Sequence, residues 1–121
     1  CLMDGNQPWA KNGSHMLLSL AKRKFEYKSR ENRHHMHDVG AANSALLMQA
    51  AYVDIFGHMM GGFHMDKTLE AFGIDPEKYE IACLIVLGYL DAPEKLDEPF
   101  HERELAPRTR KPVSEFSKKL N

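Results

Sequence analysis

The chain has 121 residues, 43% hydrophobic and 27% charged, with sixteen basic against seventeen acidic side chains for a net charge of −1. That length holds one domain, burying about two thirds of its unfolded surface, and the near-neutral balance excludes the strongly basic footprint of a nucleic-acid binder. No window of about 18 apolar residues exists to span a membrane, and two cysteines, Cys1 and Cys83, are too few for a disulfide framework, which points to a reducing, cytoplasmic setting.

The first residues, Cys1-Leu2-Met3-Asp4-Gly5-Asn6, lack the basic and apolar regions of a signal peptide. His15 to Ala21 (His-Met-Leu-Leu-Ser-Leu-Ala) is a short apolar run that reads as a strand buried on both faces. Lys22 to Arg33 follows as a charged, solvated connection, with a basic ligand-binding patch as the sharper alternative. Asn32 is placed to cap a helix that runs without proline from about His34 to Phe56. Apolar and small residues fill every side of it, among them Val39, Ala42, Ala45, Leu46, Leu47, Met48 and Ile55, so burial all round is expected. Gly57 would be its left-handed C-terminal cap.

Asp66 would cap a short helix, Lys67 to Phe72, closed by Gly73, and Asp75-Pro76-Glu77 makes a turn. Ile81 to Leu87 (Ile-Ala-Cys-Leu-Ile-Val-Leu) is the second strand. Asp91 to Pro112 holds Pro93, Pro99, Pro107 and Pro112 among many charges and reads as an extended arm, lying across the domain or across a partner subunit. The expected organisation is a single domain over 1–121, with a core over 1–90 and the arm over 91–121.

Several constellations could carry chemistry. His34, His37 and Asp38 fall at i, i+3 and i+4 on one helical face, and imidazole with carboxylate can ligate zinc or iron. The spacing matches no specific metal signature, so a helix start with partly exposed histidines is favoured and no metal is expected. Cys83 lies inside an apolar strand, where a thiol is raised in pKa and inert. There is no Gly-x-Ser-x-Gly elbow, and no catalytic side chain is assigned. In His58-Met59-Met60-Gly61-Gly62-Phe63 the paired glycines would let the backbone approach a planar ligand and offer it N–H groups. Methionine beside them would suit a flat ring, and a plain turn is the alternative. In Arg108-Thr109-Arg110-Lys111 an extended chain would project Arg108 and Arg110 to the same side, where guanidinium forks suit a phosphate; a solvated basic run is the alternative.

In this order the segments resemble the C-terminal part of the FMN-dependent nitroreductase family, nearly end to end. The resemblance is carried by Gly5-Asn6 with Trp9 and Asn12, and by Asn32-Arg33-His34 with Asp38-Val39-Gly40-Ala41-Ala42-Asn43. It continues through Met60-Gly61-Gly62-Phe63, Ala71-Phe72-Gly73-Ile74 and Leu87-Gly88-Tyr89, and closes with Ala106-Pro107-Arg108-Thr109-Arg110-Lys111-Pro112 and Glu115-Phe116. It implies an α+β fold: an antiparallel sheet flanked by helices, with a long buried central helix and a C-terminal arm. That arm would embrace the other subunit of a homodimer and end as an edge strand. The resemblance also implies FMN as cofactor, with Met60, Gly61 and Gly62 at the reactive edge of the isoalloxazine and Arg108 and Arg110 on the phosphate. NAD(P)H would be the co-substrate, and a nitro, quinone or enal-like small molecule the acceptor.

The family's N-terminal helices, which bear an Arg-rich phosphate motif and a Ser-x-x-Asn-x-Gln-Pro-Trp segment, are absent from this chain. Asn6-Gln7-Pro8-Trp9 mimics that segment but stands at the later Gly-Asn-x-x-Trp position, and Gly13-Ser14 stands where Ala-Pro is usual. The chain opens on Cys1 and not on methionine, so it is expected to be the later part of a larger domain. Alone, it is expected to bind FMN weakly or not at all; the alternative function is that of a truncated, non-catalytic dimeric remnant.

Overall fold

The longest apolar run becomes the middle of a sheet. In the computed structural model, which describes residues 1–119, β3 (Tyr79–Gly88) pairs antiparallel with β1 (His15–Lys22) on one edge and β2 (Phe56–Met60) on the other. The order is β1-β3-β2. A strand paired on both edges and covered on both faces has no place for a polar side, and Ile81, Leu84, Ile85 and Val86 are all buried.

β1 departs from the expected two-sided burial. Only Ser19 and Ala21 are buried, and His15 and Met16 are exposed. Between Ser19 and Leu20 the register shifts: Ser19 lies opposite Cys83 and Leu20 opposite Ile81, leaving Ala82 as the extra residue of a bulge. The bulge turns Ile81 to the same side as Leu84 and Val86, with which it shares a core cluster.

Helix α2 (His35–Tyr52) starts close to the expected position, but its N-cap is His34 and not Asn32; the Asn32 side-chain oxygen accepts the His34 N–H at 3.1 Å in the turn ahead of the helix. It ends four residues earlier than expected. Asp54 takes the left-handed conformation (φ 57°), the Ile55 N–H reaches back to the Ala50 carbonyl (2.9 Å) and the Asp54 N–H to Ala51 (3.2 Å). This is a Schellman closure with aspartate in the place usually held by glycine. Gly57 is therefore no cap. It sits in β2, whose residues were expected to be a helix end, a cap and a glycine turn, and a Cβ there would overlap Leu47 Cδ2 and stand 2.8 Å from Leu87 Cδ2. Glycine at this point lets α2 settle onto the sheet.

Burial of α2 is also one-sided in this chain. Asn43 is buried and His35, Val39, Leu47 and Ala50 are half-buried along one face, while Met36, Leu46, Met48 and Tyr52 are exposed. The all-round burial read from composition is not supplied by these residues themselves.

Helix α3 (Met65–Phe72) closes at Gly73 as predicted, with φ 60° and the Ile74 N–H bonded to the Leu69 carbonyl. Its N-cap is His64 and not Asp66, which lies in the first turn. The Asp75 turn forms as expected, its carboxylate accepting the Glu77 N–H at 3.0 Å. A short helix α1 (Gln7–Ala10), with proline at its start, precedes β1. Ala10, Met60, Phe63, Ile81, Leu84 and Val86 form the core, joined by half-buried Leu2, Trp9, Leu18, Leu20 and Leu69.

The chain divides into two compact units, Cys1–Leu90 and Asp91–Asn121. The second is not uniformly extended: it holds 3₁₀ turns at Pro93–Lys95 and Val113–Glu115 and a helix, α4 (Phe100–Leu105), with no strand among its described residues. Leu120 and Asn121, the last two positions of the expected arm, lie outside the described residues.

Candidate functional site

The glycine pair leaves the end of an edge strand. Met60 closes β2 opposite Leu84, is 3% exposed and belongs to the core cluster. Its side chain anchors the loop, so what Met60 can offer a ligand is backbone. Gly61 is exposed, and a Cβ built there would meet no heavy atom within 4 Å. Gly62 is the opposite case: a Cβ would stand 2.5 Å from Asn6 Nδ2. Gly61 thus presents a bare, open backbone, and Gly62 is backed by the N-terminal segment.

That backing is specific. Asn6 Nδ2 donates to the Gly62 carbonyl at 2.9 Å, and the Met3 N–H donates to the same oxygen at 3.2 Å. Leu2 pairs with Phe63, and the His64 N–H donates to the Cys1 carbonyl at 2.7 Å. The Phe63 N–H folds back onto the Gly61 carbonyl at 3.1 Å. Among the described residues, neither the Gly61 nor the Gly62 N–H is used by these turn and loop hydrogen bonds. Trp9 of α1 meets His58 of β2 edge-on, with ring centroids 4.9 Å apart and an interplanar angle of 74°. Asn6 and Trp9 stand in the sequence with no local sign of either contact. The contact of Asn6 spans 56 positions, so no local periodicity could reveal it.

Arg108 and Arg110 lie in the second unit, both exposed. Arg110 Nη1 donates to the Thr109 carbonyl at 2.7 Å, and neither arginine forms an ion pair among the described residues.

The remaining candidates resolve into structural roles. His37 Nδ1 meets the neighbouring Asp38 carboxylate at 3.0 Å on the exposed side of α2. Among the described residues no three His, Cys, Asp or Glu side chains converge as metal ligands would. His35, between the two histidines of that motif, bonds instead to Glu80 Oε2 at 3.0 Å, which also meets Arg23 Nη1 at 2.9 Å. Burial pushes the Cys83 thiol up, and the Asn43 amide donates to its sulfur at 3.5 Å. The charged connection closes into a hairpin-like loop, Lys24 pairing with Glu31 and the Phe25 N–H donating to Arg30. A concavity of about 450 Å³ there is lined by Phe25, Tyr27, Arg30 and Glu31, and no residue of the glycine loop lines it.

The sequence model of the nitroreductase family matches residues 2–89, which include α1, the whole sheet and the glycine loop. The chain belongs to the nitroreductase family. Among solved structures, this family member is similar to an oxidoreductase containing FMN, with 30% identity and a TM-score of 0.88, over 98% of this chain and 60% of that one. It is also similar to a nitroreductase family protein from Streptococcus pneumoniae TIGR4 (24% identity, TM-score 0.53, 71% of this chain and 37% of that one). A protein from Exiguobacterium sibiricum 255-15 assigned as a nitroreductase, in complex with FMN, matches at 20% identity and TM-score 0.57 over 71% and 36%. The last two share the fold. This nitroreductase-family chain thus spans 60% of the length of the first structure and a little over a third of the others. No curated protein sequence matches it. Among the described residues no helix is long and apolar enough to cross a membrane.

Proposed function

We propose that this nitroreductase-family chain serves a flavin oxidoreductase, with FMN lying against Gly61 and Gly62 of the first unit; Arg108 and Arg110 are proposed, in their own right, as phosphate-binding residues. The observation that carries the reading is the glycine loop: an open backbone with no Cβ at Gly61 and, among the described residues, N–H groups at both glycines that take no part in the turn and loop hydrogen bonds, on a loop anchored from behind. A flat ring with acceptor atoms on its edge fits such a surface, since side chains would hold it off and N–H groups can donate to it. When bound, FMN would supply the redox chemistry, hydride transfer from NAD(P)H to a nitro, quinone or enal-like acceptor. The protein's own part is orientation: Met60 fixes the end of β2 in the core, and Gly62 carries its N–H toward the ring edge. Arg108 and Arg110 offer forked cationic donors that match phosphate geometry.

A homodimer in the cytoplasm belongs to the same proposal. The exposed outer side of α2, with Met48 at 75% and Tyr52 at 85% exposure, is an apolar surface that a second copy would cover.

The test is an absorption spectrum of the purified full chain with added FMN, followed by NADH and NADPH oxidation with several acceptors. This chain alone is expected to bind FMN weakly, and that affinity should fall further, by about 3 kcal/mol or more, in the Arg108→Ala, Arg110→Ala double variant, charged hydrogen bonds contributing about 1.5–3 kcal/mol each. An unchanged flavin dissociation constant removes the arginine pair from the site. A colourless protein that gains no flavin absorbance supports the second reading, a packed but non-catalytic dimer.

A further inference from the structure

We infer that Asn6 is a positioning residue that aims the Gly62 N–H at the flavin ring; the inference rests on the flavin reading above and adds to it a side chain to which that reading gives no part. The geometry runs through three linked groups. The Asn6 amide donates to the Gly62 carbonyl at 2.9 Å, and the Met3 N–H shares that oxygen at 3.2 Å. Two donors on one carbonyl fix the plane of the Gly62–Phe63 peptide, because the six atoms of a peptide unit move together. The same unit carries the Phe63 N–H, which donates to the Gly61 carbonyl at 3.1 Å. That bond in turn fixes the Gly61–Gly62 peptide, whose N–H points opposite to its carbonyl. The held carbonyl faces Phe63, so the Gly62 N–H is turned to the other side.

Two features single out Asn6 from a general structural support. Gly62 has no Cβ because the amide occupies its place, at 2.5 Å from where that atom would be. The two glycines therefore serve different ends: Gly61 is bare toward open space, Gly62 is bare toward Asn6. The carbonyl also needs a donor, so a residue of the same size that cannot donate would repel it. Aspartate has that property.

The experiment compares the full chain with Asn6→Asp and Asn6→Ala by three readouts: FMN dissociation constant, flavin midpoint potential, and amide hydrogen exchange of Phe63 measured without flavin. Both variants are expected to weaken FMN binding about tenfold, the loss of one well-made hydrogen bond, and to shift the midpoint potential. Phe63 exchange should quicken about tenfold without FMN, while exchange at Leu84 and Ile85 stays as in the parent, which separates loop loosening from general unfolding. Asn6→Asp should be no better than Asn6→Ala. A parent chain that binds FMN with variants of unchanged affinity and potential overturns the role of Asn6 alone. Wild-type binding by Asn6→Asp overturns it too, since no donor would then be required. A parent chain that binds no FMN overturns the flavin reading, and this inference falls with it.

Discussion

On one face of the sheet, Met60, Phe63, Ile81, Leu84 and Val86 meet Ala10 and the half-buried Leu2, Trp9, Leu18, Leu20 and Leu69 in an apolar cluster. On the other, beside the buried Ile85, polar groups join α2 to the sheet. Ser19 Oγ donates to Asn43 Oδ1 at 3.0 Å, Asn43 Nδ2 donates to Cys83 Sγ at 3.5 Å, and His35 bonds to Glu80 at 3.0 Å. Apolar burial is non-directional and scales with area. Hydrogen bonds add little net stability but are costly to leave half-made. The apolar cluster therefore contributes more to the unfolding free energy than these polar bonds do, and the polar bonds decide where along the sheet α2 sits. A shift of α2 by one turn would bring Val39 or Leu47 to the place of Asn43 and leave Ser19 without its acceptor.

The sharpest way to break this contrast is to cut into each face in turn. Leu84 is 2% exposed, and Leu84→Ala should lower the unfolding free energy by about 3 kcal/mol, the transfer and cavity terms together. Urea denaturation followed by circular dichroism measures it. Asn43→Ala should cost less, about 1–2 kcal/mol, the loss arising because the Ser19 hydroxyl is stranded in a buried site. Replacing both partners, Ser19→Ala with Asn43→Leu, should recover most of that loss, since neither polar group is then left unpaired. A larger cost for Asn43→Ala than for Leu84→Ala would reverse the assignment of the two faces.

The same contrast explains what could be read from sequence. β3 was legible because a strand buried on both sides leaves an unbroken apolar run, and α3 because Gly73 supplies the left-handed cap itself. β2 was not, because its signal was overwritten twice. Asp54 performs the helix stop that glycine usually advertises, and Gly57, the visible glycine, serves close packing three residues on. Composition around α2 overstated burial within one chain, because alanine and methionine read as apolar whether or not a neighbour covers them. Of the candidate site, the glycine pair was legible as a local motif. Its support was not, because Asn6 meets Gly62 across 56 positions, and the coreward anchoring of Met60 depends on strand register, which no single segment encodes.

The smallest expected effect lies in the ion pair of the polar face and appears only as a dependence on pH. Both ring nitrogens of His35 face acceptors, Nε2 toward Glu80 Oε2 at 3.0 Å and Nδ1 toward the Asn32 carbonyl at 2.7 Å. A neutral imidazole has one N–H and can serve only one of them, so the doubly protonated ring is preferred. The Glu80 hydrogen bond, with the Asn32 carbonyl second, raises the His35 pKa above its ordinary 6.5, against opposition from burial and from Arg23. The hydrogen bond from His35 in turn lowers Glu80 below its ordinary 4.5. A raised imidazole stabilises the fold fully below pH 6.5 and ceases to do so as pH climbs through its folded value. A lowered carboxylate contributes above pH 4.5 and is lost as pH falls through its own folded value. The pair therefore adds most between pH 4.5 and 6.5. Thermal midpoints of the parent should exceed those of His35→Ala by the widest margin in that window, and the margin should narrow as pH rises toward 8.5. Because Glu80 is partly solvent-exposed and already meets Arg23 at 2.9 Å, the carboxylate stays paired when His35 loses its proton, which keeps the swing small. A margin that stays flat from pH 5 to 8.5 would show that α2 is held at this end by packing and not by charge.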